Sequence, residues 1–230
     1  MSQDFNFADP TPANASRPWT EVWVDALIRP SVETFERIVS DPNAGQARAY
    51  LWIFVSALIG YGFILFVQFG ISSLLGLASP EERSLRLEPG SALLALVCGM
   101  PGFATMSVIA VIINAGITQL VASLLGGTGT YSKLVYAFAA YLAPLTLISC
   151  VISIIPLLGS CLGVPLSIYG LALNVMAVKA VNRFDWGKAI VSSVLIFVLL
   201  LMLVAIVTIV ILALLGPAIG NVFSNIINDI

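Results

Sequence analysis

The chain has 230 residues, of which 59% are hydrophobic and only 10% charged, with a formal net charge of −2 and no His. Ordinary soluble domains carry about 25% charged residues, so this composition excludes a soluble globular enzyme of the usual kind. There is no basic excess to attract nucleic acid, and the absence of His removes the commonest general base and the commonest metal ligand together.

Residues 1–17 hold Ser2, Asp4, Asp9, Pro10, Pro12, Asn14 and Ser16. They cannot bury a core and are expected to form a disordered cytoplasmic tail. They lack the basic n-region and short apolar core of a secretory signal. From Pro18 to Asp41 the pattern is amphipathic. Trp19, Val22, Trp23, Ala26 and Leu27 recur at three- and four-residue spacing, with Glu21 and Asp25 between them. After Pro30, Val32, Phe35, Ile38 and Val39 fall on one face and Glu33, Glu36 and Arg37 on another. This predicts two short helices broken at Pro30, within an amphipathic region over 18–48. Trp19 and Trp23 suit interfacial anchoring, where an indole body wants apolar contact and its N–H wants water. Packing of the same helices on the protein's own cytoplasmic face is the equal alternative.

Five membrane spans are expected over 49–216, because a bilayer core of about 30 Å needs about twenty apolar residues per helix. The first covers about Leu51–Leu77 and contains Gln68. A polar loop, Ser79–Gly90, follows. Ser91–Gly127 would reach roughly 55 Å as one helix, so a break is expected at Gly99–Gly102, around Pro101. That leaves a short Ser91–Cys98 helix and a second span over Phe103–Leu125. Gly126, Gly127 and Gly129 form a hinge; Lys133 stands at the wrong spacing for a phosphate cradle. The third span covers Ser132–Pro156 and carries Pro144. A tight turn at Pro156–Gly159 leads to the fourth, Cys161–Val181. The fifth covers Ala189–Leu215, and 217–230 forms a weakly amphipathic external tail. With the N-terminus cytoplasmic, Arg17, Arg29, Arg37, Arg48, Lys133, Lys179, Arg183 and Lys188 lie inside and only Arg83 and Arg86 outside, as the positive-inside rule requires.

No Asp or Glu falls within a predicted span, although ionisable groups there are the mark of pumps and intramembrane proteases. Ser149, Ser153, Ser160 and Ser167 have no candidate base. Cys98, Cys150 and Cys161 fit no metal spacing and read as small apolar residues. No catalytic residue, cofactor or metal is therefore expected. The remaining polar groups, Gln68, Asn114, Gln119 and Asn174, are either interhelical glue or the lining of a polar path.

The stretch IRPSVETFERI ahead of the spans, the hinge GGTGTYSKLVYAFAAYLAPL and the later Pro156–Gly159 turn followed by Tyr169-Gly170 occur in an order that resembles the Yip-type (Ypt-interacting protein) membrane family in its bacterial form. The likeness covers roughly Ile28–Gly216. It implies an all-α, five-helix transmembrane bundle, a cytoplasmic N-terminus and an external C-terminus. The Asp-Leu-Tyr-Gly-Pro segment of eukaryotic members, which are linked to Rab-type GTPases, is missing, so Rab binding is not carried over; the short tail and bacterial-type lead-in point to a prokaryotic plasma membrane. The expected function is a non-enzymatic scaffold or adaptor. Its partners would be the lipid bilayer and another membrane protein or transport complex, with self-association open. The alternative is a small transporter, channel or lipid-moving protein with a path near Asn114, Gln119 and Asn174.

Overall fold

The computed structural model describes residues 17–67, 95–153 and 156–228. Among them every regular element is helical: α1 (Trp19–Ile28), α2 (Val32–Val39), α3 (Gln46–Leu65), α4 (Met100–Leu124), α5 (Tyr131–Ile152), α6 (Pro156–Asn182) and α7 (Trp186–Asn228). Four segments are long and apolar enough to cross a membrane: Gln46–Leu65, Val97–Leu124, Tyr131–Ile152 and Cys161–Asn182. Within α7, Trp186–Ile196 and Val204–Gly216 are shorter apolar stretches. Gln68, the Ser79–Gly90 loop and the tail before Arg17 lie outside the described residues.

α5 is the centre of the bundle. It packs most extensively against α3 and also contacts α1, α2, α4 and α6. Its small residues explain this: Ala137, Ala139, Ala140 and Ala143 are fully buried and let neighbouring backbones approach. The core is concentrated at one end, where Leu134–Tyr141, Leu173, Ala177, Val178 and Ala189 are buried. Beyond it the helices expose apolar side chains, among them Ile148, Val151, Val164, Ile168 and much of α7 from Val198 to Leu215.

Three boundaries differ from the sequence reading. The expected interruption at Gly99–Gly102 is a change of helical type: a π-helical turn, Ala95–Gly99, runs directly into α4. Pro101 stands in the first turn of α4, where the ladder passes from π to α and the proline has no N–H to give. The Pro156–Gly159 turn is instead the first turn of α6, again with proline at the start, and α5 ends at Ile152 with Ser153 as its C-cap. Finally, α7 continues through Gly216 and Pro217 to Asn228 as one helix rather than ending at Leu215. Pro144 lies inside α5, where it is buried.

Candidate functional site

The two amphipathic helices α1 and α2 form a hairpin docked on the bundle. Ser31 caps α2, its hydroxyl accepting from the Thr34 N–H at 3.1 Å. Proline at position 30 favours the extended backbone between the helices. Val22 and Ala26 of α1, and Phe35 and Ile38 of α2, are fully buried. α1 lies on α5, while α2 lies on α6 and α5. The Phe35 ring meets Tyr141 edge-on with centroids 6.2 Å apart, and the Tyr169 hydroxyl of α6 donates to the Leu27 carbonyl. Packing on the protein's own surface is thus the arrangement found. Trp19 and Trp23 join an aromatic group centred on buried Trp52. Both lie 5.9 Å from its ring, and Trp52 in turn lies 5.0 Å from Tyr136.

A charged network seals the top of this group. Arg17 binds Glu21 at 2.5 Å and Asp25 at 2.5 Å, so the acidic face of α1 is engaged by the chain itself. Burial pulls the Arg17 guanidinium down, but the two carboxylates hold its pKa above the usual value. The Asp41 side chain, fully shielded, accepts from the Asn43 N–H at 2.8 Å and the Arg17 N–H at 3.3 Å, and faces Arg48 at 3.5 Å. Arg48 also donates to the Arg17 carbonyl and lies 4.9 Å from the Trp52 ring centre, a cation–π arrangement. Neither Asp41 nor Arg48 stood out in the sequence. The signal was local: an acidic residue in the turn after α2, and a lone base before an apolar run.

The outer face of α2 is polar, while α1 exposes Val24 and Ile28. Arg29, Glu33, Glu36 and Arg37 are exposed. Glu33 sits in the first turn of α2, where a backbone N–H and the Ser31 hydroxyl hold its carboxyl below the usual range. Between α1 and the α5–α6 pair lies an apolar groove of about 480 Å³, lined in part by Trp23, Leu27, Pro144, Ile148, Leu166 and Tyr169.

The amides fall at separate contacts. In α4, Thr118 donates to the Asn114 carbonyl at 2.7 Å and lies 3.3 Å from its side-chain oxygen. Asn174 donates to the Tyr141 hydroxyl at 3.0 Å. Gln119 donates to the Gly129 carbonyl at 2.8 Å and lies 3.3 Å from the Asn182 side chain. The hinge is built for that meeting. Gly126 takes φ 86° just past α4, and the Gly127 N–H returns to Ala122 O at 2.9 Å, the usual left-handed helix stop. A Cβ on Gly129 would lie 2.7 Å from both Asn182 and Val181. Cys98, Cys150 and Cys161 are free and lie on separate elements.

Long apolar helices, a core of alanines and a docked amphipathic hairpin define a helical integral membrane protein. A model of the Yip1 domain matches residues 24–209, and the chain belongs to that family. The match takes in the end of α1, all of α2 and α3–α6, and α7 up to Ile209. Members of the Yip1 family are not known as enzymes. No curated protein and no solved structure matches the chain.

Proposed function

We propose that this protein is a non-enzymatic membrane scaffold whose docked α1–α2 hairpin offers a binding surface to another membrane protein. Five membrane-embedded helices, α3–α7, would carry it, with the N-terminus in the cytoplasm and the C-terminus outside, in a prokaryotic plasma membrane. One observation carries the reading: α2 lays its apolar face on the bundle and keeps Glu33, Glu36 and Arg37 exposed. Any helix docked on a protein surface turns a polar face to water; what suits this one to a partner is its mixture of acids and a base, since a mixed-charge face sets partner choice and orientation more than bulk affinity.

The membrane side of the reading rests on the family and on the apolar helices. The partner side rests on the hairpin alone. It is tested by charge reversal, Arg29→Glu with Glu36→Lys, in protein solubilised from its native membrane. The scaffold reading expects a co-purifying membrane protein that the variant loses while its helix content is unchanged. Retention of every partner by the variant contradicts it. Substrate flux in vesicles of the purified protein, lost in Asn174→Leu, would favour the transporter instead.

A further inference from the structure

The groove between α1 and the α5–α6 pair does not end at α1. Leu145 and Leu166 line its hollow of about 480 Å³ and also a second one of about 320 Å³, which follows the seam between α5 and α6 past Ser149, Gly163 and Gly170. Both volumes lie in the usual range of ligand pockets, about 300–1,000 Å³. At Gly163 the seam is open, since a Cβ there meets nothing within 4 Å. At Gly170 the helices close up, a Cβ there lying 3.1 Å from Leu145 Cδ2. At the other end α1 bridges the two helices. It packs on α5, and the Tyr169 hydroxyl of α6 holds its Leu27 carbonyl.

Among the described residues no charged side chain lines either hollow. The hydroxyls along the seam are spent on their own backbone. Ser149 donates to Leu145 O, Ser153 to Cys150 O and Ser167 to Gly163 O, each at 2.8 Å. Trp23 is the exception. It lines the groove, and its indole N–H is buried with no acceptor among the described residues. The groove is therefore apolar along the seam and keeps a free donor at the α1 end.

Its surroundings say what fills it. Val24 and Ile28 border the groove on α1, four residues apart on one stripe, and both are exposed. Away from α1, Val151 and Leu162 continue the lining faces of α5 and α6 one turn beyond Ile148 and Leu166, and they are exposed too. The groove thus opens onto the apolar surface of two helices long and apolar enough to cross a membrane. The medium against such a surface is lipid. A peptide laid in the groove would leave its backbone polar groups without partners. A membrane helix, about 10–12 Å across with its side chains, would run into α1 at the end of the seam. A polymethylene chain meets neither obstacle.

We propose that this groove is a phospholipid site. An acyl chain lies along the α5–α6 seam towards Gly163, and its ester carbonyl accepts from the Trp23 N–H at the α1 end. Val24 and Ile28 then stand in the headgroup–acyl boundary, so α1 packs on the bundle with one face and on lipid with another. The inference rests on the membrane reading above but not on the scaffold role.

The test uses the full chain in phosphatidylcholine vesicles that contain a phosphatidylcholine with a diazirine in one acyl chain. After photolysis, adducts should concentrate on Ile148, Gly163 and Leu166 over Ile113 of α4 and Val204 of α7, although the last two are more exposed than Ile148. Native mass spectrometry of protein extracted in mild detergent should show a retained phosphatidylcholine. Ile148→Trp and Gly163→Leu fill the groove from different helices. Each should lower that retention about tenfold at unchanged melting temperature, the scale of one lost apolar contact. Ile113→Trp should retain the lipid. A dialkyl ether analogue should be held less well than the diacyl lipid by the parent, and equally by Trp23→Phe.

Adducts as dense on α4 and α7 as in the groove would mean an ordinary lipid annulus and overturn the proposal. That map needs no variant, so it decides even where a filled variant fails to fold. Unchanged retention in a folded filled variant overturns it as well, and so does a dimer that filling the groove dissociates, since the occupant is then a second copy. Equal retention of ester and ether lipids by the parent overturns the place given to Trp23. Failure of the parent to enter the vesicles would strike the membrane reading instead, a separate result.

Discussion

The Arg48 guanidinium lies 3.5 Å from the Asp41 carboxylate and 4.9 Å from the centre of the Trp52 ring, so one cation ties the α2–α3 turn to the core of the bundle. The same residue holds the Arg17 carbonyl, at the start of α1. Asp41 is completely shielded on its side chain and Arg48 is 16% exposed. Removing one partner of such a pair leaves the other charge buried, which typically costs about 3–5 kcal/mol. Asp41→Ala should therefore loosen the hairpin as a unit. Limited proteolysis should cut first near residues 40–45 in the variant and not in the parent. Equal cleavage patterns would show that the pair contributes nothing to docking.

Phe35 is the apolar anchor of α2, fully buried and edge-on to Tyr141. Truncating a buried Phe to Ala usually costs about 3–5 kcal/mol through lost transfer energy and a residual cavity. Phe35→Ala should lower the melting temperature in detergent, with Trp19 and Trp23 fluorescence shifting to the red before the helices unfold. Phe35→Leu should retain most of the stability.

The pH dependence of α2 follows from Glu33. Its carboxyl is held below the usual range by hydrogen bonds that only the folded helix provides. A depressed folded pKa means that the stabilisation is fully present above the unfolded value of about 4.3 and is lost as pH falls through the lower folded value. The hairpin should be insensitive to pH between about 5 and 8 and loosen on further acidification. Glu33→Gln should flatten that acid response, as read by hydrogen exchange of the Thr34 and Phe35 amides.

The glycines of the α4–α5 hinge differ in what they demand. Gly129 has no room for a methyl group against Asn182 and Val181, whereas a Cβ on Gly116, in the middle of α4, meets nothing within 4 Å. Gly129→Ala should destabilise by about 1–3 kcal/mol, as overpacking does. Gly116→Ala should be neutral or stabilise by up to about 1 kcal/mol through helix propensity. Gly126→Ala, at φ 86°, should cost roughly 1–2 kcal/mol from the left-handed backbone alone. Thermal unfolding of the three variants in one detergent gives the order.

Much of this architecture is legible in the sequence because its cause is local. The run from Tyr131 to Asn182 with two bases and no acid announces two apolar helices, and the spacing of Val22, Ala26, Phe35 and Ile38 marks the faces that are in fact buried. Proline was harder to place. Pro101 and Pro156 were read as breaks, but Pro101 sits where a π turn passes into α4 and Pro156 is the first residue of α6. Pro217 was read as the boundary of a tail, yet α7 runs through it. The candidate site was least visible. Glu21 and Asp25 read only as the polar positions of α1, and their ion pairs with Arg17 appear in the structure alone. Arg17 precedes α1 and Asp41 follows α2, so only the closing of the hairpin brings them together. No periodicity encodes a contact of that range.

The most direct test of the scaffold account is site-specific photo-crosslinking in native membranes, with a photoreactive amino acid at Glu36 on the exposed face of α2 and a control at Ile38 on the buried face. The account predicts a discrete adduct with another membrane protein from position 36, absent when Asp41→Ala releases the hairpin. From position 38 it predicts only internal cross-links. Adducts at both positions with nothing but this chain and lipid would contradict it.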